Sequence, residues 1–272
     1  MREGTDLTPI VQRFNRSDVL GIRKVPKYLL LSNALLEGIE AGDYRSGAKI
    51  PSERNLIAAL PVSLGTVQKA MNELVEQGVI TRQPGKGSFV SGTETLRGAK
   101  NIPETDLLHF RFRAADDGAL LPVRLNVVGI EKIDLDASAP LPPWARYLGV
   151  DTAFIRIERI LDVAGQFKGF CQFYLPFEPY KALLKYSKED LSGTSLRVLL
   201  DKECNLPTLS FEHHIRSQFL PDKACDYLGL ACGGVGTEWE VLGRSYRQAR
   251  ASYQCIYLTP GHAPIEVMEK IS

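Results

Sequence analysis

No stretch of this 272-residue chain approaches the roughly 20 consecutive apolar residues that a membrane-spanning helix needs. The N-terminus, MREGTDLTPIVQRF, lacks the apolar core of a secretory signal, so a cytoplasmic protein is expected. Strong charge is missing too. With 33 Lys+Arg against 32 Asp+Glu the net charge is +1, which excludes a histone-like polycation. The cysteines, Cys171, Cys204, Cys225, Cys232 and Cys255, are odd in number and contain no C-x-x-C pair. That rules against a disulfide framework or a zinc cluster and leaves thiols. His213 and His214 are adjacent on an expected strand, so they point to opposite faces and cannot chelate one ion together. No metal or cofactor is expected. No nucleophile–base set or carboxylate pair of an enzyme stands out, and there is no internal repeat or low-complexity segment.

What the chain does have begins with a small charge asymmetry. Residues 1–92 carry 12 Lys+Arg against 9 Asp+Glu, and residues 93–272 carry 21 against 23. An anionic partner for the N-terminal part is the implication. Residues 1–26 are polar with scattered Arg13, Arg16, Arg23 and Lys24. They read as a loosely ordered arm, with extra phosphate contacts as the alternative.

From Pro26 the local signals become dense. Tyr28, Leu31, Leu35 and Ile39 make one apolar stripe, predicting a helix over residues 27–41 that Gly42 closes. Lys49-Ile50 suits a short edge strand. Ser52 caps a short second helix reaching residue 60, with Glu53 in its first turn. Pro61-Val62 turns the chain, and Ser63 caps a third helix to about residue 77. Val67, Ala70, Met71 and Leu74 form its inward face. Gly78 then precedes two strands, residues 79–82 and 88–90, joined through Gln83-Pro84-Gly85-Lys86-Gly87. This succession describes a winged helix-turn-helix, in which the third helix enters the major groove of duplex DNA. The candidate DNA-binding residues are Ser52, Arg54, Ser63, Thr66, Gln68, Lys69, Gly85, Lys86 and Gly87.

The motif Pro51-Ser52-Glu53-Arg54, with Val62-Ser63, Thr66-Val67, Ala70, Leu74, Gly78-Val79-Ile80 and Gly85-Lys86-Gly87-Ser88-Phe89-Val90, resembles the N-terminal domain of the GntR family of bacterial transcription regulators. The resemblance implies a dimeric, ligand-responsive repressor, occasionally an activator. Leu64 and Gln68 stand where that family usually has arginines, so the base-reading surface departs from its pattern.

Residues 92–106 turn polar and lose periodicity, as a linker does. Residues 107–272 interleave strands with helices. Expected strands are 107–113, 121–133, 153–163, 167–175, 209–219, 239–248 and 251–258; expected helices are 142–148, 177–184, 195–204 and 221–228. Hairpins rather than βαβ units predict an α+β domain on an antiparallel sheet. The domains are thus an arm, 1–26; a winged helix-turn-helix, 27–91; a linker, 92–106; and a second domain, 107–272. Phe154-Ile155-Arg156-Ile157-Glu158-Arg159, the Gly165 turn, Tyr174-Leu175-Pro176, Leu228-Gly229-Leu230 and Tyr253-Gln254-Cys255-Ile256-Tyr257 resemble the UTRA effector domain of the HutC branch of the same family, which shares the chorismate lyase fold.

The resemblance also implies where an effector would sit. Sugar-phosphate-binding relatives carry Arg-x-Arg on one strand and a glutamate on its neighbour. Here the matching positions are Arg159-Ile160-Leu161 and Cys171, and a later acidic position is Ser252. Arg159 remains to hold an anion, with Arg111 or Arg113 as a second cation. The candidate effector residues are therefore Arg159, Arg111, Arg113, Cys171, Ser252, Tyr253 and Tyr257. The expected function is a homodimeric repressor on an inverted-repeat operator, released by a small effector. The alternatives are an effector-independent DNA-binding regulator and an enzyme of chorismate lyase-like fold.

Overall fold

The computed structural model describes residues 7–19, 25–92, 110–136, 138–149, 152–192 and 195–267. Most of the expected linker lies outside the described residues, as do Arg23, Lys24 and the start of the strand expected from residue 107.

The N-terminal part opens with a helix where a loose arm was expected. Helix α1 (Thr8–Val19) packs along α2 (Lys27–Glu40). Its Ile10 and Phe14 are wholly buried in the core that also holds Leu31, Leu35 and Ile39. Two apolar residues four apart suffice to bury one helix face once a partner surface is present. Among the described residues, two arginines of this segment are ion-paired to the head. Arg13 pairs with Asp43 at 2.5 Å and Arg16 with Glu37 at 2.9 Å.

Next come α3 (Glu53–Ala59) and α4 (Leu64–Glu76), each begun by the serine expected to cap it. Strands β1 (Ile80–Gln83) and β2 (Gly87–Val90) form the antiparallel wing, and Lys49 bridges to Phe89 at its edge.

The second domain is built on a six-stranded antiparallel sheet of order β5-β6-β7-β10-β9-β8. These strands are β5 (Val123–Asp134), β6 (Ala153–Val163), β7 (Phe167–Pro176), β8 (Ser210–Phe219), β9 (Val235–Arg244) and β10 (Arg250–Leu258). A small three-stranded sheet joins β3 (Phe110–Arg113) to β4 (Leu120–Leu121) and β11 (Ile265–Val267) in the order β11-β3-β4.

Two cores follow from the alternation of strand side chains. On one face Ile155, Ile157, Leu161, Cys171, Phe173, Trp239 and Ile256 pack under Phe110 and Phe112. Leucines from α7 (Lys188–Leu191) and α8 (Leu196–Cys204), together with the Phe177–Tyr180 helix (α6) and its 3-10 continuation Lys181–Lys185, close this face. On the other face Phe154, Phe170, Tyr174, Tyr253, Cys255 and Tyr257 pack against α5 (Pro143–Leu148) and α9 (Asp222–Leu228). All five cysteines are free thiols. Helix α7 and strand β11 are short elements that the sequence reading did not include.

Candidate nucleic-acid interface and effector pocket

The first site is the outer surface of α3, α4 and the wing. Ser52 Oγ accepts from the Asn55 amide and Ser63 Oγ from the Thr66 amide, each at 3.2 Å. Ser63 Oγ also lies 2.9 Å from Thr66 Oγ1, so the cap and the threonine form one unit at the start of α4. Replacing Ser63 by alanine should cost about 1 kcal/mol, the usual value of an N-cap, read as a lower urea midpoint at unchanged slope.

Behind this cap Val67, Ala70, Met71 and Leu74 are buried, while Leu64, Gln68, Lys69 and Asn72 are exposed. Leu64 is 50% exposed at the first position of α4, an apolar tip on a surface that otherwise offers hydrogen-bonding groups. Gln68 does not stand alone. Its Nε2 reaches Glu53 Oε2 at 3.4 Å, and Glu53 Oε1 pairs with Arg82 on β1 at 3.5 Å. One carboxylate thus ties α3, α4 and the wing together. Arg82 is an exposed wing cation that the sequence reading passed over; it lies two residues after the buried Ile80, so strand alternation alone would have pointed it inward. Lys69 is turned back, its ammonium 3.9 Å from the Tyr28 ring centroid, a cation–π contact that DNA phosphate would have to outcompete.

Arg54 and Lys86 are exposed at the N-terminus of α3 and at the tip of the wing. Gly85 and Gly87 both hold positive φ, 72° and 114°. At Gly87 a Cβ would also fall 2.9 Å from Lys49 Cε. The turn therefore needs glycine there, and Lys49 lies against Gly87 as a further cation at the wing.

The second site lies within the covered face of the large sheet. Arg159 on β6 is 2% exposed. Its Nη2 donates to Cys171 Sγ at 3.5 Å, and its guanidinium lies 5.3 Å from the Phe173 ring. Ser252 and Gln254 on β10 lie on the other side of Phe173. Beyond them stands Arg197, at the start of α8, which sequence reasoning missed. Its Nη2 donates to the Thr208 carbonyl at 2.8 Å and its guanidinium packs over Phe211 at 5.1 Å.

Burial draws the Arg197 pKa down to about 10, against the opposing pull of Asp201 one helical turn on, so it stays charged at neutral pH. Burial pushes the Cys171 thiol up despite Arg159 and Gln254, which keeps it protonated and a poor nucleophile. Phe173, Arg197, Thr208, Phe211, Ser252 and Gln254 line a cavity of about 20 Å³.

The other proposed effector residues are elsewhere. Arg111 and Arg113 alternate with the inward Phe110 and Phe112, so they face away from this cavity. Arg113 is forked onto Glu266 at 3.0 and 3.2 Å and donates to the Gly118 carbonyl. Tyr253 and Tyr257 lie on the opposite face of the sheet from Ser252, in the core under α5 and α9. The Tyr253 hydroxyl is bonded to Glu240, and burial raises its pKa, as it does that of Tyr257. His213 and His214 also split between faces. The first accepts from the Trp239 indole at 3.1 Å, and the second lies 3.0 Å from Glu212.

The family model "Bacterial regulatory proteins, gntR family" matches residues 27–90, the helices and wing just described. A probable fructoselysine utilization operon transcriptional repressor of Escherichia coli O157:H7 is 41% identical over 150 residues, 54% of this chain and 62% of that protein. The HTH-type transcriptional regulator SmoD of Agrobacterium fabrum is 28% identical over 143 residues, 52% of this chain and 54% of that protein. This chain thus spans little more than half the length of either. A crystal structure of PhnF from Mycobacterium smegmatis overlays on 89% of this chain and 100% of its own, with 17% identity and a TM-score of 0.46. Both curated relatives are named as transcriptional regulators, and the enzyme alternative finds no support in them. Among the described residues no helix is long and apolar enough to cross a membrane. Residues 27–90 are a helix-turn-helix domain of the gntR family of bacterial regulatory proteins.

Proposed function

We propose that the chain is a one-component transcription repressor of the HutC type. In this reading it grips an inverted-repeat operator as a homodimer through α4 and the wing. A small anionic effector, held in the UTRA-like domain between Arg159 and Arg197, releases it. The observation that carries the reading is the presence in one chain of an outward-facing DNA head and a second-domain cavity bordered by the Arg197 guanidinium, with the buried Arg159 on the far side of Phe173. A two-fold pair of heads would match two half-sites about one helical turn apart. Guanidinium groups recognise carboxylates and phosphates through paired N–H donors, and a closed apolar surround strengthens that attraction.

A cavity of about 20 Å³ holds little more than one water. An effector would therefore enter an opened form, in which α8 has moved off the sheet, and would shift the population toward it. The closed pocket, with Leu161, Cys171 and Ser252 at the positions of the usual polar groups, also favours a second reading, a DNA-binding regulator without an effector.

Thermal unfolding over a panel of small carboxylates and sugar phosphates separates the two. A true effector at 100 times its Kd should stabilise the protein by about 2.7 kcal/mol. It should also weaken binding to the promoter fragment, and Arg197→Met should abolish both effects. If no member of either class shifts the melting, the effector-independent reading stands.

A further inference from the structure

We propose that α8 is a strut joining the buried arginine pocket to the DNA-reading head, and that Asn205 and Arg247 form a latch holding the last turn of α2. What moves the strut rests on reading the pocket as an effector site; that α8 couples the two domains does not.

The strut is visible as a stripe. Arg197, Asp201 and Asn205 recur every four residues, so they lie on one face of α8 and its cap. Arg197 borders the cavity on the sheet. Asp201 is 5% exposed and lies at the junction. A Cβ placed on Gly92 would be 2.8 Å from its Oδ2 and 1.4 Å from Ser46 Oγ, so both side chains lie against Gly92, where the head ends.

Asn205 closes α8 in the left-handed region, φ 51°, which asparagine tolerates better than most side chains. That turn aims its amide across the junction, where Nδ2 donates to Ile39 O at 2.8 Å and Glu40 O at 3.2 Å. A helix leaves its last carbonyls without intrahelical partners, so α2 of one domain is capped here by a side chain of the other.

The second arm of the latch is the β9–β10 turn. Glu40 places a negative charge at the negative end of α2, an unfavourable site that a cation relieves. Arg247 supplies it, with Nε to Oε1 at 2.8 Å and Nη2 to Oε2 at 3.3 Å. Arg247 and Gln248 both hold positive φ, 53° and 58°, a backbone conformation uncommon without glycine. The turn also seats Tyr246, 3% exposed, in the core of the head.

Beside these contacts α2 and α8 are separated by a cleft of about 500 Å³ lined by charged and polar side chains, including Arg45, Ser46 and Lys202. Along the cleft the domains are held by specific polar ties, which a small movement of α8 can break. Because α2 packs on α4, movement of its last turn is passed to the helix that would read DNA.

Amide hydrogen exchange on the full chain, with neither DNA nor effector, tests this. Asn205→Gly keeps the left-handed backbone comfortable and removes the amide. Asn205→Asp places an acceptor against two carbonyls. Exchange over residues 39–43 should quicken at least tenfold in Asn205→Gly and further in Asn205→Asp, an order that simple loosening by glycine would not give. Arg247→Gly should add to either. Arg197→Met alters only the pocket end of the strut, and it should quicken the same amides. Unchanged exchange in the Asn205 variants would overturn the latch. Quickening in those variants but not in a folded Arg197→Met protein would overturn the strut. Should Arg197→Met fail to fold, Arg197→Lys serves in its place. Neither outcome depends on whether any compound in the melting panel binds.

Discussion

Phe14→Ala should destabilise the N-terminal domain by about 3–5 kcal/mol, the range for emptying a buried aromatic site. Phe14 is fully buried, as is Ile10 one turn earlier, and both lie against α2. The loss is large because the ring is enclosed by two helices whose backbones cannot collapse into the space it leaves. Arg13→Ala on the same helix should cost under about 1 kcal/mol, since its ion pair with Asp43 is partly exposed. Urea unfolding of both variants makes the comparison. A loss under about 1 kcal/mol for Phe14→Ala would mean that α1 does not belong to the head in solution.

Arg54→Ala should weaken binding to duplex DNA about 10- to 100-fold and reduce the slope of log affinity against log salt by about one, as expected for a base or phosphate contact worth 1–3 kcal/mol. Arg54 is exposed in the first turn of α3, close to the capped N-terminus of that helix, where amides also favour phosphate. Lys69→Ala should do less, because the Lys69 ammonium already rests on Tyr28 and must leave it to reach DNA. A gel-shift titration at two or more salt concentrations decides the order. If Lys69→Ala is the more damaging, the head docks with a different face of α4 toward the groove.

The head was legible because its signals are local. Serines cap α3 and α4, glycines shape the wing, and a stripe at Val67, Ala70, Met71 and Leu74 says which side of α4 is inward. Helix α1 was not legible for the complementary reason. Its segment, TPIVQRFNRSDV, is polar on average, and the surface that buries Ile10 and Phe14 is supplied by α2, a separate stretch of chain.

The effector pocket shows a different limit. The strands were readable, and alternation alone would have divided Ser252 from Tyr253. Which face carries a cavity depends on what covers it, and that is set by α7, α8 and β3 packing back from distant parts of the chain. Arg197 belongs to that cover rather than to the sheet, so no strand pattern could point to it. Arg111 and Arg113 were drawn into the site by charge, but the neighbouring phenylalanines take the inward positions of β3.

The place of Tyr246 also bears on the order in which the protein is made. The head precedes the second domain along the chain and is synthesised before it, yet one wall of its core is Tyr246, a side chain from the β9–β10 turn of that later domain. Domains generally fold as units, N-terminal first, as they emerge. Here that rule is incomplete: the DNA-binding head can form its helices early, but it stays open at one side until the β9–β10 turn of the second domain has been made. A truncated chain would carry a reading helix without its finished support, so the ability to hold DNA firmly is deferred until the domain proposed to control it has been built.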